Sequence, residues 1–159
     1  MDNFLGEYLP IAVFFAIAIG LSAAFVLSAF VLGNQRPDDE KMAAGAAIVE
    51  KLGLLAKANP ALSDDLRAHT LQALFGTIWT RDGLELKTRS LITLTTLIAL
   101  NREHELVLHF RGARNLGIER ETLEEVILHV AHYAGWPVAV TASSVLDAVW
   151  KEMDEELDK

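Results

Sequence analysis

The spacing of apolar side chains predicts an all-α domain behind an apolar N-terminal segment. After residue 40, apolar residues recur three and four positions apart, as on one face of a helix, and no period-two strand pattern persists. The predicted helices comprise residues 41–58, 64–79, 84–101, 102–116, 122–134 and 138–153. Five or six helices in about 115 residues bury only a modest core, so we expect other subunits to cover some apolar surface.

Residues that cap or break helices mark the predicted boundaries. Ser63 is a good N-cap, since a serine hydroxyl can accept a hydrogen bond from a free backbone N–H of the first turn. The stretch Thr80–Gly83 has the composition of a turn, and Gly135 with Pro137 stops a helix. The acidic C-terminal stretch beyond Lys151 is expected to fray.

The N-terminal apolar segment is long enough to cross a bilayer. Residues 9–33 contain no charged side chain, and about 20 apolar residues in a helix span a hydrocarbon core. Basic Arg36 and Lys41 follow the segment and none precedes it, which predicts a cytoplasmic location for the helical domain. The predicted organisation is a single-pass membrane anchor and linker over residues 1–40 and a helical domain over 41–159. A cleaved signal sequence and a buried helix remain alternatives.

The charge balance argues against a nucleic-acid partner and allows a small anionic ligand. Acidic residues outnumber Lys and Arg by 22 to 14, giving a net charge of −8, whereas phosphate binding requires a clustered basic surface. Residues 81–114 nevertheless carry more basic than acidic side chains, so this region can attract an anion; a solvated mixed-charge surface is the alternative. The protein has no cysteine, which excludes disulfides and thiol chemistry.

One pair of residues has the spacing of an acid/base site. Glu105 and His109 are four apart and therefore share a helix face, on which Gly112 follows and would leave space beside the imidazole. A histidine in an apolar cleft with a nearby carboxylate has a tunable pKa and a fixed orientation, as general acid/base catalysis requires. A Glu–His pair of this spacing is also common on solvated helix surfaces, and the spacing alone leaves both interpretations open.

A second group of ring side chains lies closer to the C-terminus. His129 and Tyr133 fall at the border of the apolar face of their predicted helix, where residues that line a pocket would lie. Glu125, His129 and His132 could supply three metal ligands from one helix, but no fourth ligand is indicated and the set straddles a solvated face. We therefore expect no metal.

Four sequence blocks resemble the carboxymuconolactone decarboxylase family in their order and spacing. They are GTIWTRDGL at residues 76–84, KTRSL at 87–91, ELVLHFRGA at 105–113 and LHVAHYAGWP at 128–137. The resemblance covers roughly residues 45–156. It implies an AhpD-like all-helical fold that assembles into trimers or hexamers, and cofactor-free decarboxylation of gamma-carboxymuconolactone to β-ketoadipate enol-lactone in the breakdown of aromatic compounds.

The resemblance also implies roles for individual residues. His109 would donate a proton with Glu105 orienting it, and His129 and Tyr133 would line the pocket. The cations that would hold the carboxylates of the substrate are Arg81, Arg89 and Arg111. The related alkylhydroperoxidase branch carries two cysteines where this protein has Arg102 and Glu105, and a glutamate at the position of Ser90, so thiol peroxidase chemistry is excluded.

The N-terminal segment has a resemblance of its own. EYLP at residues 7–10, the apolar run and LGNQRPDDEK at 32–41 resemble the first helix of the A subunit of NADH:quinone oxidoreductase over about 40 residues. We take the segment as a targeting element or the product of a gene fusion. Two further interpretations stay open: another small-molecule activity on the same fold, and a non-enzymatic membrane subunit.

Overall fold

A computed structural model of the protein describes residues 13–14, 17–28, 37–54 and 63–158. The chain divides into two compact units, Met1–Pro37 and Asp38–Lys159, each of which is described by itself. Within the described residues the second unit consists of helices joined by turns, and none of these residues lies in a strand. The prediction of an all-helical domain is confirmed.

In the first unit the described residues form an exposed apolar helix. Residues 17–28 are helical, and Phe25 and Val26 are 77% and 68% exposed. The rest of the predicted span, residues 9–12, 15–16 and 29–33, lies outside the described residues.

The predicted membrane anchor over residues 9–33 requires correction. Across the parts of the protein that the structure describes, no helix combines the length and the apolar character needed to span a bilayer. The prediction of a single-pass membrane location with the helical domain facing the cytoplasm is therefore wrong. The prediction rested on the apolar composition of residues 9–33 and on the flanking Arg36 and Lys41, and neither feature establishes by itself that a helix spans a membrane.

Among its described residues, the second unit contains six α-helices and one π-helical segment. The α-helices are α1 (Pro37–Leu52), α2 (Asp64–His69), α3 (Leu86–Ala99), α4 (Glu103–Asn115), α5 (Arg120–Ala134) and α6 (Trp136–Leu157), and the π-helical segment comprises Thr70–Ile78. Ser63 caps α2 as predicted, accepting a hydrogen bond from the Leu66 backbone N–H at 3.3 Å. Gly135, with φ of +100°, separates α5 from α6 in a conformation that only glycine adopts readily.

Helices α3 to α6 form a bundle around the main core. Helix α3 packs against the other three, and α6 packs against α4 and α5. Helices α4 and α5 therefore occupy opposite corners of the bundle, each between α3 and α6. The largest fully buried side chains of this core include Leu94, Leu106, Phe110, Leu123 and Leu146.

A smaller apolar cluster joins α1 to the π-helical segment. Its buried members are Val49, Leu52, Phe75 and Trp79. Two glycines let the backbones meet: a β-carbon at Gly45 would lie 2.0 Å from the Leu71 carbonyl oxygen, and one at Gly76 would lie 2.0 Å from the Lys41 carbonyl oxygen. No other residue type fits these two positions without displacing backbone.

The end of α6 differs from its prediction. The acidic composition predicts fraying beyond Lys151, yet α6 continues to Leu157. Arginines of α4 bind its acidic end: Arg114 is 2.5 Å from an Asp154 carboxylate oxygen, donates to the Trp150 carbonyl at 3.0 Å and stacks over the Trp150 ring. Counter-charges on a neighbouring helix thus hold a terminus whose own composition disfavours order.

Candidate active site

His109 lies on α4 and is partly buried. Burial lowers the pKa of His109 below its ordinary value of 6.5, because desolvation penalises the charged imidazolium, while the negative charge of Glu105 opposes the shift. Glu105 itself is exposed, one helical turn earlier. The structure therefore brings the two predicted catalytic residues onto one face of α4 and keeps the imidazole of the free protein neutral at neutral pH.

The lowered pKa of His109 predicts a specific acid sensitivity. Below pH 6.5 the histidine of the unfolded state binds a proton that the folded protein binds only at lower pH, so the free energy of unfolding falls as the pH falls through this window. Denaturant titrations between pH 8 and 5 should show a smaller loss of stability in His109→Gln than in the wild type. His104→Gln, at an exposed position of the same helix, is the control, and equal losses in all three proteins would contradict the prediction.

The spacing of Gly112 and His109 suggests open space beside the imidazole, but the structure shows that the position next to Gly112 is filled. A β-carbon at this position would lie 3.2 Å from Leu52 Cδ2 and 3.4 Å from the Leu52 carbonyl oxygen. The Asn115 side-chain amide donates to the same carbonyl at 3.0 Å. The end of α1 therefore packs onto the α4 face that carries Glu105, His109 and Gly112, one turn beyond the histidine.

The structure brings two of the predicted substrate-binding arginines together. An Nη of Arg89 on α3 donates to the Arg81 backbone carbonyl at 2.7 Å, which ties the helix to the preceding turn. The Nε of Arg89 is buried and has no hydrogen-bond partner. Arg81 has an exposed side chain that makes no ion pair with any described residue. The guanidinium groups of both arginines can therefore still bind an anion.

Arg111, the third predicted substrate-binding cation, is engaged within the fold. Its guanidinium lies 3.2 Å from a Glu152 carboxylate oxygen and also forms an ion pair with Glu156, both on α6. Its side chain is only 13% exposed. A guanidinium neutralised by two carboxylates attracts a substrate anion weakly, so Arg111 is not part of the proposed site.

His129 and Tyr133 lie away from His109 within one chain. They are on α5, at the corner of the bundle opposite α4. Their rings stack with centroids 4.8 Å apart, and Tyr133 is 81% exposed. Together they line an open cleft of about 240 Å³. The two predicted groups of site residues therefore form two separate surfaces of the described protein.

Ser90 is a candidate site residue that spacing and motifs do not predict. The family resemblance marks it only as the replacement of a glutamate, yet it is 1% exposed and its hydroxyl has no hydrogen-bond partner. A serine among apolar residues was the available signal in the sequence.

For metals, no three His, Asp or Glu side chains within the described ranges lie close enough to form a binding group.

Relatives of this protein include decarboxylases. The chain is 42% identical over 79 residues to a 4-carboxymuconolactone decarboxylase of Acinetobacter baylyi, which covers 50% of this chain and 59% of that protein. It is 40% identical over 85 residues to nitrosuccinic acid decarboxylase of Metarhizium robertsii, which covers 54% of this chain and 57% of that protein. This chain thus spans less than two thirds of the length of either relative.

The N-terminal and helical parts of the chain match different proteins. Over 44 residues the chain is 48% identical to the A subunit of NADH-quinone oxidoreductase from Pelagibacter ubique, a match that covers 28% of this chain and 36% of that protein. The resemblance of the N-terminal segment to this respiratory protein is confirmed. The model of the carboxymuconolactone decarboxylase family matches residues 64–148, which is more than half of the chain. The chain belongs to the carboxymuconolactone decarboxylase family.

Proposed function

We propose that the helical domain is a cofactor-free decarboxylase that acts on a small polycarboxylate lactone of the gamma-carboxymuconolactone type. The observation that carries the proposal is a partly buried His109 with a lowered pKa, on the face of α4 that also presents Glu105. The names of the two decarboxylase relatives, which describe removal of CO₂ from a small acid, support the same reaction class.

The reaction needs one proton and no redox partner. The bond from the ring carbon to its carboxylate breaks, and CO₂ leaves without the bonding electron pair. That pair shifts through the ring double bond towards the lactone carbonyl, and the carbon next to this carbonyl then takes a proton to give the enol-lactone. His109 is the proposed donor of this proton, and Glu105 the residue that orients and stabilises its charged form.

A histidine that is neutral in the free protein can still supply the proton. A bound dianion places negative charge near the imidazole and raises its pKa, so His109 takes up a proton as the substrate binds. The charged histidine is then compensated by the substrate and by Glu105, and its proton is transferred when the negative charge moves to the ring carbon. In this scheme substrate binding itself prepares the acid.

The test is an ultraviolet assay of the full-length protein with gamma-carboxymuconolactone, which follows the change in the conjugated lactone. Turnover without added metal or cofactor is the expected result. A folded protein that leaves the lactone unchanged over hours would overturn this substrate. It would favour another small-molecule activity on the same fold, to be sought by testing other small di- and tricarboxylates for loss of CO₂.

The proposal extends to a homo-oligomer, a trimer or a hexamer. Helices α5 and α6 expose large apolar side chains, namely Leu128, Tyr133, Trp136 and Val140. Three of these residues (Leu128, Trp136 and Val140) line one groove of about 220 Å³ between the two helices. Contiguous exposed apolar surface of this kind is typical of an interface between subunits. Light scattering of the purified protein tests the oligomeric state.

A further inference from the structure

Two neighbouring residues of α3 carry polar atoms that the folded protein leaves without partners. Across the described residues, Arg89 Nε and Ser90 Oγ are the buried side-chain nitrogen and oxygen atoms that make no hydrogen bond. Burying an unpaired donor costs free energy, more so for a charged group, and buried polar atoms in proteins are usually paired. Two such atoms on consecutive residues indicate a partner that is not part of this chain.

Packing does not require either group. Ser90 lies on the buried face of α3 together with Leu94 and Ile98, where an alanine would fill nearly the same space without a hydroxyl to satisfy. The Arg89 guanidinium is already held in place by the hydrogen bond from one of its Nη atoms to the Arg81 carbonyl. This contact fixes the orientation of the guanidinium group and leaves its Nε–H as a preorganised hydrogen-bond donor.

The register of the two helices gives the level of these donors along α4. Helices α3 and α4 pack against each other and are joined by a short turn between Ala99 and Glu103. They run antiparallel, so residues equally far from the turn lie at the same level. Ser90, nine residues before Ala99, therefore comes to the level of Gly112, nine residues after Glu103 and one helical turn from His109.

We propose that Arg89 Nε and Ser90 Oγ together bind one carboxylate of the substrate, on the α3 side of the site whose proton donor is on α4. This assignment rests on the proposed function and adds a binding residue, Ser90, to it. A carboxylate has two oxygens that accept hydrogen bonds, so one group can satisfy both donors at once. A charge-assisted bond to Arg89 supplies most of the attraction, and the serine hydroxyl fixes the orientation.

The bound carboxylate is the one that the product keeps. Donors that stabilise the negative charge of a carboxylate oppose the loss of CO₂ from it, because that charge leaves the oxygens as the bond breaks. Only interactions that are stronger in the transition state than in the ground state accelerate the chemical step. Arg89 and Ser90 therefore hold the non-reacting carboxylate, which positions the reacting one without stabilising it.

The Ser90→Ala substitution distinguishes a role of Ser90 in binding the substrate carboxylate from a role in stabilising the fold. The substitution should raise KM for the lactone about 10- to 100-fold, since a hydrogen bond to a charged group is lost, and leave kcat within about threefold. The melting temperature of the free protein should stay the same or rise, because the hydroxyl has no partner there. Ser144→Ala, which removes an exposed α6 hydroxyl bonded to the Val140 carbonyl, is the matched control.

A binding measurement without turnover distinguishes the two proposals. Calorimetry should show that the wild type and Ser144→Ala bind succinate, a dicarboxylate; uncharged succinamide is the comparison ligand. The affinity for succinate should be at least tenfold weaker in Ser90→Ala and in Arg89→Lys. Succinate binding that depends on Ser90, in a wild type that does not turn over the lactone, would retain the carboxylate site and remove the proposed reaction. An unchanged KM and unchanged succinate binding in Ser90→Ala, or no succinate binding by the wild type, would overturn the site.

Discussion

Replacing His109 with glutamine is expected to lower kcat for the lactone about 10²- to 10⁴-fold, the usual contribution of a positioned general acid. Glutamine keeps a polar side chain of similar length but cannot give up a proton at neutral pH. The imidazole is partly buried and neutral in the free protein, so its loss removes no ion pair that the fold depends on. Steady-state kinetics by ultraviolet absorbance, with circular dichroism to confirm the fold, measures the effect.

The control for His109→Gln is His104→Gln on the same helix. His104 is exposed, so this variant should keep kcat within about twofold of the wild type, as surface substitutions usually do. A His109→Gln protein that is folded and retains a tenth or more of the wild-type kcat would contradict the role of His109 as proton donor. Decarboxylation would then need a different acid on this protein.

The second large effect is expected at the contact between α1 and the π-helical segment. Alanine at Gly45 would place a β-carbon 2.0 Å from the Leu71 carbonyl oxygen and 2.9 Å from the Gly76 nitrogen, both backbone atoms. Relief requires α1 to move, which should cost at least about 2–3 kcal/mol of unfolding free energy, as for other overpacked sites. Urea denaturation and the melting temperature measure this loss.

Gly83→Ala serves as the matched control for this prediction. A β-carbon at Gly83 would meet no atom within 4 Å, and its φ lies outside the left-handed region. The same glycine-to-alanine change should therefore be neutral, or stabilising by up to about 1 kcal/mol through the unfolded state. Gly76→Ala, which meets the Lys41 carbonyl oxygen at 2.0 Å, should repeat the loss seen at Gly45. Equal stabilities of Gly45→Ala and Gly83→Ala would show that α1 does not pack as described.

Local chemistry was sufficient to predict most of the helices. The apolar spacing located α3 to α6 to within four residues at each end, whereas α1 begins four residues before its predicted start and ends six residues before its predicted end. Ser63 and Gly135 marked boundaries because capping and positive φ depend on single residues. The π-helical form of Thr70–Ile78 was not predicted, because the apolar spacing along residues 64–79 is compatible with both an α-helix and a π-helix.

Charged residues behaved differently, because their role depends on the groups that lie opposite them. Sequence spacing placed Glu105 and His109 on one face, since both belong to one helix. It could not show that Arg111 is occupied by Glu152 and Glu156, which are more than forty residues away. The same pairs hold the end of α6, whose acidic composition predicted fraying.

The sequence by itself determined the helical class, the helix boundaries at Ser63 and Gly135, the exclusion of thiol chemistry and the face shared by Glu105 and His109, since all of these depend on identity and spacing within one segment. Tertiary structure alone decided the burial that keeps His109 neutral, the unpaired donors of Arg89 and Ser90, and the separation of α4 from α5. Burial, pairing and distance between helices depend on groups that are remote in the sequence, and no local pattern contains them.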